Sequence, residues 1–227
     1  MGRFGSYLII VPAAGLMGAL AGRLADPVVG LAVGASIGIG WGLLVGWMAA
    51  WLNRREGWAW KMADRSVLLA VLAATTLFGG SLFAMILYGP ALSDPEMILV
   101  LMRPPWQGGL TFFLIFNTLM EWLVIPAALS LNWHLPRRRA LIAAGALLYY
   151  AARAWTYVYF VPNIFAFMTT PVGVALSAEL AGRVRAWVLL SWIRTGIDGL
   201  LAVLFLLAAT SGVLDGDDGH SAAASGP

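Results

Sequence analysis

The sequence predicts an all-α polytopic membrane protein with six transmembrane helices: a Gly-rich hairpin followed by a four-helix bundle. Three observations predict it. The 227 residues are 61% hydrophobic and only 11% charged, with mean hydropathy +0.84. Soluble domains carry about 25% charged residues, and a water-soluble fold of this length could not hide so much apolar surface. Six stretches approach or exceed the ~20 apolar residues that a bilayer crossing needs. Short segments rich in Pro, Gly and charge separate them.

The first span, about 6–24, follows Arg3 and resembles the apolar core of a signal peptide. It runs long for one, and a second span follows after a tight turn, so it reads as a retained helix. In that turn, "ADP", Asp26 is placed as an N-cap and Pro27 as the first helical residue. The second span runs about 27–52, the third 66–88, the fourth 109–133, the fifth 139–161 and the sixth 184–213. Three regions result: the hairpin (1–55), the bundle (56–214) and an acidic tail, "DGDDGHSAAASGP" (215–227), whose small polar composition predicts disorder.

Orientation follows from Lys and Arg near the span ends. Eight (Arg3, Arg54, Arg55, Lys61, Arg65 and Arg137–Arg139) fall on one side and four (Arg23, Arg103, Arg183, Arg185) on the other. Both termini are therefore predicted to be cytoplasmic, in a membrane of the bacterial inner or plasma type. Trp47, Trp51, Trp58 and Trp60 crowd one end of the second and third spans, as an interfacial aromatic belt does. The longest external loop, Gly89–Gly109, holds an apolar run at Met97–Met102 that is too short to span. It is expected to form a short interfacial helix over the mouth of the bundle, either passive or a lid.

Gly30, Gly34, Gly38, Gly42 and Gly46 recur every fourth residue along the second span, and the first adds Gly15, Gly18 and Gly22. Such a ladder leaves a bare groove in which another backbone approaches closely. Its partner is either the first span or another protein.

Four ionisable residues fall inside spans: Glu121 in the fourth, Arg153 in the fifth, Arg194 and Asp198 in the sixth. Each would cost at least ~2.5–3.5 kcal/mol at mid-bilayer if uncompensated. They sum to zero, which predicts mutual pairing in the bundle interior. Glu121 and Arg153 are natural partners, because their spans join through the short "HLPRRR" turn and should pack antiparallel. Arg194 and Asp198 stand at i,i+4, although base before acid is the weaker order. Asn117 lies one turn before Glu121, and Tyr149, Arg153, Thr156 and Tyr157 share a face of the fifth span. Asn117, Glu121, Tyr149, Arg153, Tyr157, Arg194 and Asp198 are thus the candidate site, either a register-fixing ion network or the wall of a polar cavity.

Other chemistries are excluded more firmly. The two histidines, His134 and His220, lie at a span edge and in the tail, so no bis-histidine haem or copper site lies inside the spans. One Glu and one Asp do not make a di-iron site, and Ser191 has no nearby histidine for a triad. The absence of cysteine removes thiolate ligands and nucleophiles. No metal is predicted, and no cofactor held by protein ligands; a bound lipid, quinone or aromatic small molecule is the open possibility. No basic patch interleaved with aromatics points to nucleic acid. Any chemistry would be proton transfer at Glu121 or Asp198, assisted by arginine.

Over about residues 66–214 the chain resembles the anthrone-oxygenase-like family of small four-helix membrane proteins, most of them catalogued as a domain of unknown function. The resemblance rests on "LFGGSLFAMILYGPAL" (Leu77–Leu92), on an arginine-led fifth span ending in "YFVPN" (Tyr159–Asn163), and on "RAWVLLSWIRTGIDGLLAVLFLLA", with Trp192 and Arg194-Thr195. The hairpin at 1–55 is extra to that pattern, and the third-to-fourth connection is unusual. The resemblance implies oxidation of polycyclic phenolic anthrones without a metal, and carries over no catalytic residue.

Two functional classes follow. One is an accessory or structural subunit of a larger membrane assembly or homo-oligomer, surrounded by membrane lipids and docked through the Gly-rich face or aromatic surfaces. The other is an oxygenase-like enzyme or binding protein for a lipophilic aromatic molecule. The second requires a cavity reaching the charged cluster; the first requires a sealed cluster. A transporter has little support, since no inverted repeat is visible.

Overall fold

The computed structural model describes residues 5–52, 58–104, 108–173 and 175–223, with side chains described for all of these except 58–60 and 212–223. Every regular element among them is helical. In chain order they are α1 (Tyr7–Ala25), α2 (Val29–Leu52), α3 (Trp58–Tyr88), a 3₁₀ turn (Gly89–Leu92), α4 (Met97–Leu101), α5 (Gly108–Leu119), a π turn (Met120–Val124), α6 (Ile125–Leu131), α7 (Pro136–Trp155), a second π turn (Thr156–Phe160), α8 (Val161–Thr169) and α9 (Ala178–Ala223). Five stretches among the described residues are long and apolar enough to cross a membrane: Tyr7–Ala25, Val29–Leu52, Lys61–Leu92, Gly108–Leu131 and Ala178–Ser211. The fifth predicted span falls on the rod α7–π turn–α8, where Arg153 and four tyrosines dilute the apolar character, and it is not among those five. The outward faces carry Leu, Ile, Val and Trp, as a bilayer solvent requires.

The glycine ladder is used inside the chain. A Cβ on Gly34 would overlap the Gly18 carbonyl, one on Gly30 the Gly22 carbonyl, and one on Gly38 the Ala14 carbonyl. Gly42 meets the Val11 backbone and Gly46 the Tyr7 ring. All five face α1, so the backbones of α1 and α2 touch where side chains would hold them apart. The turn is capped as the sequence predicts: Asp26 Oδ1 accepts from the Val28 N–H at 2.9 Å and the Val29 N–H at 2.8 Å. Those two N–H groups hold the Asp26 carboxyl below the usual aspartate range.

The hairpin is part of the core. Ile10 and Met17 of α1 are fully buried in one cluster with Leu77, Met120, Ile125, Leu129, Ile142 and Phe205. A second cluster joins Tyr88, Phe160, Phe167 and Trp187 to Ile98, Leu99 and Met102. The short helix expected to lie at the interface therefore inserts three side chains into the bundle end.

Each end of the bundle has its own polar tie. Where α3 starts and α6 ends, Arg138 pairs with Asp64 at 2.6 Å and donates to the Ala208 carbonyl at 3.1 Å and to Asn132 Oδ1 at 3.1 Å. Asn132 donates to Ser66 Oγ at 3.0 Å and to the Ala128 carbonyl at 2.8 Å. At the other end Arg103 donates to the Thr170 carbonyl, and Arg185 to the Leu92 carbonyl at 3.2 Å. Three of the arginines counted in the orientation expectation, Arg103, Arg138 and Arg185, thus join separate segments. Arg3, Arg54 and Arg55, and the Trp58 and Trp60 side chains, lie outside the described residues, whereas Trp47 and Trp51 are exposed near the end of α2. The predicted tail begins beyond Ser211, the last residue with a described side chain, and the α9 backbone runs on to Ala223.

Gly38→Leu is expected to destabilise the protein where Gly40→Leu does not, because a Cβ on Gly38 meets backbone and one on Gly40 meets nothing within 4 Å. Overpacking costs roughly 1–3 kcal/mol, or about 2–4 °C per kcal/mol at this chain length. Thermal unfolding of both variants in detergent checks it; equal melting temperatures would contradict the packing.

Candidate functional site

The site begins with two prolines. Pro126 lacks an N–H, so it serves neither the Trp122 carbonyl four residues back nor the Glu121 carbonyl five residues back. The chain answers with a π turn, in which the Ile125 N–H donates to the Met120 carbonyl. Side chains from other helices then satisfy the two carbonyls. Tyr150 O–H donates to the Glu121 carbonyl at 2.9 Å, and the Trp41 indole N–H of α2 donates to the Trp122 carbonyl at 2.6 Å. The second π turn repeats the pattern: Val161 N–H donates to the Thr156 carbonyl, and Pro162 follows. Such turns widen a helix locally and recur at functional sites. Here they flank the two paired charges.

Glu121 is 1% exposed. Arg153 Nε donates to its Oε2 at 2.9 Å, and Tyr157 O–H stands 3.4 Å from both carboxylate oxygens. The Arg153 guanidinium also lies 4.7 Å from the centre of the Tyr157 ring. Tyr149 O–H donates to the Asn117 carbonyl at 2.9 Å. Three of the seven candidates, Glu121, Arg153 and Tyr157, thus meet at one carboxylate, and Asn117 and Tyr149, bonded to each other, line a small pocket with Arg153.

Arg194 and Asp198 join differently. No ion pair forms between them among the described residues. Asp198 accepts instead from Ser81 Oγ at 2.6 Å, and the Arg194 guanidinium sits 5.5 Å from the Phe113 ring and 5.1 Å from the Phe160 ring. Helical side chains lean toward the N-terminus, so Arg194 leans away from Asp198. The i,i+4 bond that the spacing allowed does not form: the two charges share a region without touching.

A cavity of about 280 Å³ opens among α3, α5, α7–α8 and α9, in the half of the bundle where α3 ends and α5 begins. Arg153, Arg194, Asn117 and Tyr157 line it, with Thr195 and Ser191. Its remaining wall is mostly apolar, including Met85, Leu110, Phe113, Ile164 and Trp187. A smaller pocket behind it touches Tyr149 and Asp198. The cluster therefore faces a space rather than being sealed. Among the described residues no group of three or more His, Asp or Glu side chains could hold a metal.

Sequence reasoning missed the π turns, the Trp41 bond and the buried Asn132–Arg138 tie. A signal existed for the first: Pro126 stands inside the fourth predicted span and Pro162 just past the end of the fifth, with unsatisfied carbonyls the consequence wherever the helix continues through them. Trp41 carried no signal, since a tryptophan in an apolar helix is commonplace.

Two outcomes are expected. Glu121→Gln or Arg153→Gln alone removes one member of a buried pair, a loss of about 3–5 kcal/mol, and the double Glu121→Gln, Arg153→Gln variant should lose less than the sum of the two in a double-mutant cycle. Trp41→Phe should lower stability by about 1 kcal/mol. Thermal unfolding reads both; additive single losses, or a neutral Trp41→Phe, would contradict the geometry.

Comparison of the chain with protein-family models, with curated proteins and with solved structures gives no match.

Proposed function

We propose that the protein is an integral membrane binding protein for a lipophilic small molecule with a polar head, quinone- or anthrone-like in character, held in the cavity beside Arg153 and Arg194. The observation that carries this reading is the cavity itself: a small, mostly apolar space of about 280 Å³ with a few convergent polar groups, the usual form of a ligand site. The resemblance of residues 66–214 to the anthrone-oxygenase-like family supports the same ligand class and adds an oxygenase-like activity as its extension. Glu121, held by Arg153 just behind the wall, is the group available to exchange a proton with such a ligand. The basic residues at the span ends support placing both termini in the cytoplasm, and the cavity in the external half of the bilayer.

A second chain docking through the Gly30–Gly46 face would need α1 to leave it. The subunit reading is therefore left with the aromatic surfaces as its contacts.

Mass spectrometry of organic extracts from gently solubilised protein tests the proposal. The wild type should retain a stoichiometric lipophilic compound. Ser191→Phe, which fills the cavity, should lower its recovery at least tenfold, while Leu43→Phe on the outer face of α2 should not. An extract without such a compound, or one unchanged by Ser191→Phe, would contradict it.

A further inference from the structure

The charge lining the cavity has one sign. Arg153 and Arg194 reach it, whereas Glu121 and Asp198 do not line it. Arg153 spends its Nε on Glu121. Arg194 makes only ring contacts, with no hydrogen bond or ion pair among the described residues. A guanidinium carries five donors, and unserved donors away from water are costly. Two guanidinium groups facing one small space match an anionic oxygen. The apolar remainder of the wall matches the rest of a lipophilic molecule.

A second space lies beside the first. A groove of about 660 Å³ runs between α3 and the start of α5, and it shares Ala84, Tyr88 and Phe113 with the cavity as a common wall. Gly79 and Gly108 line the groove, and a Cβ on either would meet nothing within 4 Å. They differ from the α2 glycines, which are consumed by helix contact. Their missing side chains keep a channel open on the lipid-facing side. Among the described residues Thr76 is the one uncharged polar side chain there apart from Tyr88, so an apolar chain is the fitting occupant.

We infer that the ligand is a single-chain amphiphile with a monoanionic oxygen head, the head lying between Arg153 and Arg194 and the chain lying in the groove between α3 and α5. This rests on the proposed binding function alone: it keeps the cavity as the ligand site and puts a single-chain anionic amphiphile in place of the quinone- or anthrone-like molecule. The molecule reaches the cavity sideways from the bilayer, past Tyr88 and Phe113.

The test uses the full chain in phosphatidylcholine nanodiscs, with cis-parinaric acid and its methyl ester as probes. They share one chain and differ in head charge, and energy transfer from tryptophan reads binding. The acid should bind saturably and at least tenfold more tightly than the ester. Arg194→Gln should abolish that preference, and Arg194→Lys should keep most of it. Gly79→Leu should weaken both probes at least fivefold without changing their ratio. Equal binding of acid and ester would overturn the inference, as would a ratio unmoved by Arg194→Gln, or no saturable binding of either. Displacement of the acid by phosphatidylglycerol in preference to oleate would overturn the single-chain assignment. If the acid shows no preference yet the extract still yields a cavity-dependent compound, the anionic head is wrong and the binding function stands. If both experiments fail, the binding function falls too.

Discussion

The bond between Glu121 and Arg153 is the constraint on which the rest of the structure depends. A carboxylate that is 1% exposed inside an apolar helix is tolerable only with a counter-charge in contact. Arg153 supplies it at 2.9 Å from the neighbouring antiparallel rod, which fixes the register of α5–α6 against α7–α8. Every feature of the interior then has to fit that register. The Pro126 π turn opens the helix at the same level, and Tyr150, from the rod that bears Arg153, closes one of the freed carbonyls.

The hairpin enters the account through the same turn. Its glycines bring α1 and α2 into backbone contact, which makes a rigid unit from two segments with almost no polar side chains. Trp41 then reaches from α2 to the second freed carbonyl, 81 residues away in sequence. The hairpin is thus tied to the π turn that carries Glu121 by one hydrogen bond, and to the core by the burial of Ile10 and Met17. A role limited to gripping a second protein through its glycines would leave both ties unexplained.

Much of this was legible in the sequence, for physical reasons that differ by residue. The helices followed from composition and span length, because a bilayer leaves a chain few ways to satisfy its backbone. Asp26-Pro27 was legible because capping is local. Glu121 and Arg153 could be paired because a short turn forces neighbours antiparallel and charge balance leaves few partners. For Arg194 and Asp198 the outcome stayed open, because spacing on a helix says which residues are near and not which way each leans. Arg138 was counted as one of a basic cluster, and nothing local distinguishes it from Arg137 and Arg139. Its burial against Asn132 and the Ala208 carbonyl depends on where α9 ends up. The cavity was foreseeable only as an alternative, since a void is a property of packing.

The functional reading inherits its charge geometry from the same pair. Because Arg153 neutralises Glu121 behind the wall, the cavity presents cationic donors without an exposed carboxylate. The most direct measurement is a ¹³C–¹⁵N dipolar coupling between the Glu121 carboxyl carbon and Arg153 Nε, by solid-state NMR on selectively labelled protein in bilayers. A coupling of the strength that a direct hydrogen bond gives is the predicted result. No detectable coupling, in a sample whose helices are otherwise intact, would contradict the account at its root.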